Sequence, residues 1–330
     1  TEFDREDARI ATAEVTELSD VECWAQLAQQ DKAAPVEEGA QAVLIDSANI
    51  QLQRRVAVVI DDAQLGKEVK KSIQEHGQGF VVLRGDEGSV DFQVAVNDMG
   101  EYELWDRAGA AIPNLRPSLL VNDPQALKCL VGRLVHISKY RSVQELDVPD
   151  RAMQQKLLVE LAHVGKAKKD EGTPVFHPGD KVKLTITNTQ SPGRTDDPAL
   201  ILNVCVLDLQ SDWSISQVYP AGAGLFEPLD PGQTISPEFE ADLPEGYKEG
   251  VDVLKVFATR ATTSFRWLEL PALDQPPAKR FVTRGLVADP LEQLLAQITD
   301  TTAGTRSLRL TSAPSASGWT VAQVELRVER

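Results

Sequence analysis

Residues 200–209 have the sequence Leu-Ile-Leu-Asn-Val-Cys-Val-Leu-Asp-Leu, an almost unbroken apolar run. A run of this kind is typical of a strand buried at the centre of a sheet. Residues 213–220 begin with Trp213 and follow across the polar triplet 210–212, so the two segments are expected to pair as neighbouring strands. This pair is the starting point for predicting the second half of the chain.

The segments on either side of this pair also have strand patterns. Residues 181–188 alternate strictly between polar and apolar side chains after the turn Pro178-Gly179-Asp180. Residues 252–259 form another apolar run after the turn 243–247, and residues 319–328 alternate well enough to be a terminal sheet strand. Short strands separated by turns rich in proline and glycine predict an antiparallel β-sandwich.

The first half of the chain also contains short strand patterns. Residues 1–60 alternate between polar turns and apolar segments, which predicts a small barrel or sandwich. Further strands are expected at residues 80–83, 90–96, 102–105 and 156–161. The Asp98-Met99-Gly100 step predicts a hairpin between two of them.

One helix is predicted directly after the N-terminal strands. It begins at Asp61 or Asp62, whose carboxylates can cap the first free backbone N–H groups. It ends near His76 and Gly77, where a glycine in the left-handed conformation is expected to close it. His76 in the last turn also suits the negative end of the helix dipole.

A second helix is predicted from Asp123, as N-cap, and Pro124, as first helical residue, to about Tyr140. Its apolar stripe consists of Leu127, Leu130, Val131, Leu134 and Ile137. Asp289 and Pro290 begin a third helical pattern near the C-terminal end.

Together these patterns predict a mainly β, α+β fold: one or more small β domains with two helices, followed by an antiparallel β-sandwich. Residues 1–150 are expected to form an α+β domain, with a β-rich part at 1–60 and a helix–strand–helix part at 61–150. Residues 151–178 are expected to supply a strand and a linker. Residues 179–330 are expected to form the sandwich with one C-terminal helix.

Composition limits the classes of partner. The chain has 330 residues and a net charge of −16 at pH 7, which disfavours binding to nucleic acid or to anionic lipid. No apolar run approaches the length of a membrane helix, and no signal peptide is visible. Three cysteines are too few for a disulfide framework, so a cytoplasmic location is expected. Because the chain begins with Thr1, we expect a fragment or a processed product.

His76 and Cys129 have the order and the spacing, about 50 residues, of a caspase-type cysteine protease. Their surroundings do not match those of a protease dyad, because His76 is expected to end one helix and Cys129 to lie buried inside another. Cys129 and His136 lie about 10 Å apart along that helix, too far for a dyad. We therefore expect no catalytic residue and no enzyme activity in this chain.

The sequence contains no zinc motif, phosphate-binding loop or dinucleotide fingerprint, so no metal or cofactor is expected. Asp61-Asp62 and Asp196-Asp197 could ligate calcium, but caps and loop charges are the commoner role for such pairs. His163 and His177 flank the polar segment before the sandwich, where a joint metal role is the less favoured alternative.

Arg116 is the one candidate for a partner contact. It lies in Asn114-Leu115-Arg116-Pro117, between a predicted strand and a predicted helix. Arginine suits a bidentate contact with a carboxylate, either in an internal salt bridge or in a partner protein. The sequence leaves both roles open and favours the internal one.

Several stretches resemble the region downstream of the catalytic domain in bacterial and fungal caspase-family proteins, the clan of metacaspases and orthocaspases. These stretches are residues 36–44, 54–58, 102–106, 114–117, 123–124 and 133–147. Residues 179–182 and 252–259 are similar to the β-rich module of unknown function that often follows such proteases. The resemblance covers roughly residues 36–300. It implies a position next to a protease domain, and no catalytic residue carries over.

Three functional hypotheses follow. The first is a non-catalytic regulatory or recognition region of a caspase-like protease, with a protein partner in cis or in trans. The second is a stand-alone β-rich binding or assembly module, and the third is an enzyme of unrecognised type.

Overall fold

The computed structural model describes residues 11–18, 23–30, 53–84, 89–147, 156–165, 173–191, 201–260, 262–276 and 319–330. The chain divides into two compact units, residues 1–47 with 309–314 and residues 48–308 with 315–330. The first unit contains an antiparallel pair of strands, β1 Ala11–Leu18 and β2 Cys23–Gln30. Residues 31–52 of the predicted N-terminal β-rich part and the helix predicted from Asp289 lie outside the described residues.

The second unit begins with a five-stranded sheet in the order β4-β3-β5-β6-β7. Its strands are β3 Arg54–Val58, β4 Val81–Leu83, β5 Phe92–Val96, β6 Glu101–Asp106 and β7 Leu119–Leu120. β3 pairs in parallel with β4 and β5, whereas β6 pairs antiparallel with β5 and β7. The expected barrel or sandwich therefore does not include β3, because a helix connects it to β4 and makes that pairing parallel.

The connecting helix, α1, runs from Ala63 to His76. The Asp62 carboxylate accepts hydrogen bonds from the N–H groups of Gln64 and Leu65, which confirms the predicted start. The predicted end is correct in position but wrong in conformation, because Gly77 has an ordinary φ of −69°.

Gly77 is required by a close approach of backbone atoms. A Cβ atom at this position would lie 2.5 Å from the carbonyl oxygen of Val81 and 2.6 Å from that of Ile73. Both atoms belong to the backbone, so neither can move away cheaply. The left-handed residues are instead the next two, Gln78 with φ 52° and Gly79 with φ 78°.

Gly77→Ala is therefore expected to destabilise the protein by about 2 kcal/mol or more, because the new methyl group overlaps two carbonyl oxygens. Gly132→Ala is the matched control: Gly132 lies in a helix and a Cβ there meets nothing within 4 Å. That change should stabilise by up to about 1 kcal/mol. Chemical denaturation of the two variants measures the difference, and equal midpoints would contradict the close approach.

The second helix, α2, runs from Ala126 to Glu145. It begins later than predicted, because Asp123 accepts from the Gln125 N–H in a turn that precedes the helix. Most of its side chains are buried, including residues outside the predicted stripe such as Arg133 and Tyr140. Within the described residues, no helix is both long and apolar enough to cross a membrane.

Two further sheets pack face to face as a β-sandwich. The six-stranded sheet has the order β12-β11-β16-β17-β9, with β13 also paired to β11, and the four-stranded sheet has β8, β14 and β15 paired to β10. The strands of the larger sheet are β9 Val175–Phe176, β11 Leu202–Leu209, β12 Ile215–Tyr219, β13 Glu227–Leu229, β16 Glu249–Thr259 and β17 Trp319–Glu329. Those of the smaller sheet are β8 Leu157–His163, β10 Lys181–Asn188, β14 Thr234–Ile235 and β15 Glu238–Glu240. The fold is thus mainly β with helices, as the sequence predicted.

Strand β11 of the six-stranded sheet is buried on both faces. On β11, Val204 and Val206 pack into the core between the two sheets, whereas Cys205 and Leu207 join the core that contains α2. This two-sided burial explains the nearly continuous apolar run at residues 200–209. The predicted boundary near residue 150 stays a prediction, but α2 and the outer face of this sheet share one hydrophobic core.

A fragment of residues 156–330 is expected to unfold at lower denaturant than the whole chain and to bind an apolar dye. The reason is that the face now covered by α2, which includes Leu207, Val253 and Phe257, would be exposed to water. Dye fluorescence and the unfolding midpoint of the fragment measure this. A fragment that unfolds cooperatively at the midpoint of the whole chain, without dye binding, would show an autonomous sandwich domain.

Candidate functional site

The edge of the five-stranded sheet carries a loop that leaves the sheet and then returns to it. The Ile112 N–H donates to the Leu104 carbonyl at 2.8 Å, and the chain rejoins β6 where Leu119 pairs with Tyr102. Between these contacts, residues 113–118 bulge away from the strand. We refer to this segment as the bulged loop.

A cavity of about 270 Å³ lies between the bulged loop, β6 and α2. Its lining combines charged, amide and apolar residues: Asn97, Glu101, Tyr102, Glu103, Leu104, Ala111, Ile112, Asn114, Leu115, Arg116, Ser118, Leu119, Leu130 and Arg133. Sites for drug-sized molecules are usually about 300–1,000 Å³. The cavity therefore suits a single side chain better than a large cofactor.

Arg116, the candidate partner contact, lies on the exposed rim of this cavity. Its Nη1 donates to the Gly246 carbonyl at 2.8 Å, and the guanidinium lies 5.5 Å from the centre of the Tyr247 ring. Both partners belong to the sandwich. Among the described residues Arg116 forms no salt bridge, so its internal role is a carbonyl contact and a cation–π contact. A contact with a partner protein stays a prediction.

Two other residues, Arg133 and Trp213, form hydrogen bonds with backbone carbonyl groups of the bulged loop. Arg133 of α2 donates to the Pro117 carbonyl at 2.6 Å and pairs with Asp274 at 2.5 Å. The Trp213 indole N–H donates to the Pro113 carbonyl at 3.3 Å. The loop is thus held by α2 and by the hairpin between β11 and β12, which fixes the shape of the cavity.

Two carboxylates form one wall of the cavity. The Asn97 amide donates to Glu101 Oε2 and to Glu103 Oε1, each at 3.1 Å, and the Trp105 indole N–H donates to Glu103 Oε2 at 3.0 Å. This pair was not predicted from the sequence. Two glutamates at alternate positions of a strand lie on one face of the sheet, so the spacing could have indicated it.

Trp213 lies at the junction of α2, the bulged loop and the sandwich, in the left-handed conformation with φ 68°. Such a φ is unusual for a bulky residue and costs about 1–3 kcal/mol. Its carbonyl accepts from His136 Nε2 at 2.8 Å, and its ring makes an edge contact with Tyr140 at 4.9 Å. Burial lowers the pKa of His136, which suits a neutral ring that donates this hydrogen bond.

Among the described residues, no hydrogen bond or ion pair joins Cys129 to His76 or to His136. His76 is exposed at the end of α1 and contacts the Ser72 carbonyl at 3.3 Å. Cys129 lies in the first turns of α2 and is half-buried, so the expected full burial is wrong. His136, further along the same helix, forms a hydrogen bond with the Trp213 carbonyl.

Of the residues considered for metal binding, the structure brings His163 and His177 together around Asp180. The distances from each Nδ1 to Asp180 Oδ2 are 3.9 Å and 3.7 Å. His163 Nε2 also contacts the Val175 carbonyl at 3.0 Å. Across the described part of the chain, no three such side chains are arranged to hold a metal ion. Asp62 is a helix cap, and residues 196–197 lie outside the described residues.

Two aspartates occupy the mostly apolar strands β11 and β16. Burial, with the nearby Asp252 charge, raises the pKa of Asp208 to about 8. Burial also raises the pKa of Asp252 to about 6, although its carboxylate accepts the Ser211 N–H at 2.7 Å. Asp208 Oδ1 is buried and has no hydrogen-bond partner in the described residues. An acidic residue inside an apolar run was the available sequence signal.

No protein-family model matches the chain, and no curated protein matches it significantly.

Asp208→Asn is expected to stabilise the protein at pH 8 by about 1 kcal/mol or more, and to change it little at pH 4. The folded pKa of Asp208 lies above the unfolded value of 3.8, so the protonated form favours folding. That contribution is present below about pH 4 and is lost as the pH rises towards 8. Urea unfolding at both pH values measures the difference between variant and parent.

The exposed Asp98 supplies the control, since Asp98→Asn removes a carboxylate from the surface and should change the stability little. The lowered pKa of His136 acts in the opposite direction below about pH 6.5. That effect is common to parent and variant, so it cancels in the difference. An Asp208→Asn effect independent of pH would show that the carboxylate is ionised in the folded protein throughout this range.

Proposed function

We propose that this chain is a non-catalytic recognition region that binds a protein and thereby controls a caspase-like cysteine protease domain, in cis or in trans. The observation that carries the proposal is the braced cavity beneath the bulged loop. Its walls come from β6, the bulged loop and α2. Residues 102–106, 114–117 and 133–147, which resemble the region downstream of caspase-family catalytic domains, supply half of the lining residues.

The construction of the cavity supports recognition. The bulged loop is hydrogen-bonded to α2 and to the sandwich, so its shape exists before any partner arrives. A preformed site loses little conformational entropy on binding. The net charge of −16 supports a protein partner over nucleic acid or anionic lipid, and a cytoplasmic location is part of the proposal.

A stand-alone binding or assembly module is the second candidate, and exposed apolar residues on the sandwich favour it. Val251 on β16 and Val175 on β9 both lie directly across from Arg327 on β17. The two valines are 47% and 42% exposed, although each lies in a strand of the larger sheet. Apolar groups in one row of a sheet are a feature of surfaces that associate.

A binding assay with the catalytic domain of a caspase-family protease from the same source tests the proposal. We expect saturable binding by calorimetry and a change in peptidase activity. Ser118→Trp should weaken binding at least about tenfold, because the indole would occupy the mouth of the cavity. Gln74→Trp on the exposed face of α1 is the control and should bind like the parent chain.

Absence of binding would contradict the proposal. A defined homo-oligomer in sedimentation, together with no binding to the protease domain, would favour the assembly module instead. Unfolding midpoints of both tryptophan variants show whether a loss of binding reflects a loss of folding.

A further inference from the structure

Asp208 and Asp252 lie on one face of the larger sheet, at the end where β11 turns into β12. Asp208 pairs with Leu254 across β11 and β16, and Leu254 belongs to the core between the two sheets. Asp252 lies two residues before Leu254, so it is on the same face and diagonally next to Asp208. The sheet therefore brings two carboxylates together beside an apolar core.

The turn formed by residues 210–213 is attached to β16 through one of these carboxylates. Asp252 accepts a hydrogen bond from the Ser211 N–H at 2.7 Å. A Cβ atom at Gly250 would overlap the Ser211 side chain, so the turn and β16 are in direct contact. A carboxylate accepts such a bond most strongly when it is ionised. The turn is therefore held best when Asp252 carries its charge.

Asp208 lacks an equivalent donor. Its Oδ1 is buried without a hydrogen-bond partner in the described residues, where no cation forms an ion pair with either aspartate. Two like charges in a partly desolvated site repel each other. A proton on Asp208 removes this repulsion and leaves Asp252 free to hold the turn. Burial, with the Asp252 charge, raises the pKa of Asp208 to about 8.

The side chains around the pair do not neutralise it. Asp212 in the turn adds a third negative charge. Uncharged residues lie across from the two aspartates on the neighbouring strands: Leu254, Ser216 and Leu326. The titratable and charged side chains of the packed elements form contacts elsewhere: Tyr140 with the Gln210 carbonyl, His136 with the Trp213 carbonyl, Arg141 with Gln144, Tyr247 with the Asn114 carbonyl and Arg330 with the Leu243 carbonyl.

Trp213 connects the turn to the bulged loop. It is the last residue of the turn, and its indole N–H donates to the Pro113 carbonyl at 3.3 Å. Its backbone is in the left-handed conformation, which the surrounding contacts must maintain. A movement of the turn away from β16 therefore removes one support of the bulged loop.

We propose that Asp208 and Asp252 make the turn at residues 210–213 a pH-sensitive switch for the bulged loop. With a proton on Asp208, the turn stays closed on β16. When that proton leaves to the solvent, the turn moves to relieve the repulsion between the carboxylates, and Trp213 releases Pro113. The closed form binds the proton more tightly, so it is favoured at low pH and is lost as the pH rises through about 8.

The reporter for the test is the indole N–H of Trp213, because it donates directly to the bulged loop. Its protection from exchange with solvent, measured by NMR and corrected for the intrinsic rate, should fall at least about tenfold between pH 7 and pH 9. The backbone amide resonances of residues 114–116 should shift over the same range. Burial lowers the pKa of His136, so this ring is neutral throughout.

Asp208→Asn should keep the turn closed at both pH values, because an amide does not ionise. Asp252→Asn should reduce the pH dependence, because Asp208 then loses its charged neighbour, and it serves as a second variant if the first is unfolded. Asp230→Asn, in an exposed turn before β14, is the control and should behave like the parent chain. Burial lowers the pKa of Lys255 to about 8, but this group titrates in every variant and cannot explain a difference between them.

The proposal is overturned if the protection of Trp213 is the same at both pH values, or if Asp208→Asn loses protection as the parent chain does. A loss of protection at Trp213 without a shift at residues 114–116 would overturn the link to the bulged loop. No protease domain enters this experiment, so the switch and the proposed function can fail separately.

Discussion

The burial of α2 on nearly all sides is the constraint on which the rest of the larger unit depends. A helix buried in this way must satisfy its polar groups internally, and several of these contacts join it to another element. His136 donates to Trp213, Tyr140 to the Gln210 carbonyl, and buried Lys255 reaches the Gln144 carbonyl at 2.6 Å. The same helix packs on α1 and contributes to the hydrophobic core shared with both neighbouring sheets. Because these contacts are directional, they fix the helix in rotation as well as in position.

The candidate site is a consequence of this arrangement. The bulged loop needs partners on the sandwich and on α2, and it has both, because α2 packs against the outer face of the larger sheet. A loop held at several points keeps a cavity open without a ligand, which favours recognition of a group of matching shape. Trp213 lies at the centre of these contacts. Its backbone keeps the strained left-handed conformation because the surrounding contacts hold it in place.

The sequence by itself determined those elements whose residue pattern follows from a single local cause, such as one buried strand face or one capping hydrogen bond. Strict alternation at residues 181–188 gives a strand with one buried face, and β10 has that burial. A carboxylate at Asp62 caps the helix that follows, because local hydrogen bonds need no distant partner. The mainly β composition of strands and turns likewise indicated the fold class. His76 was predicted at the end of one helix and Cys129 and His136 within another, and the structure has these helices, although Cys129 is more exposed than predicted.

Only the tertiary structure decided which segments meet. The apolar stripe of α2 indicated one buried face, but further faces are buried because a second sheet covers them. β17 was predicted as a terminal sheet strand, but its place between β16 and β9 could not be predicted, since register and neighbour depend on segments far along the chain. Gly77 was expected for its conformational freedom and is needed for a close backbone contact. The cavity is lined by residues from three elements, so no local sequence pattern could have predicted it. Long-range packing brings Arg116, Arg133 and Glu103 around one space.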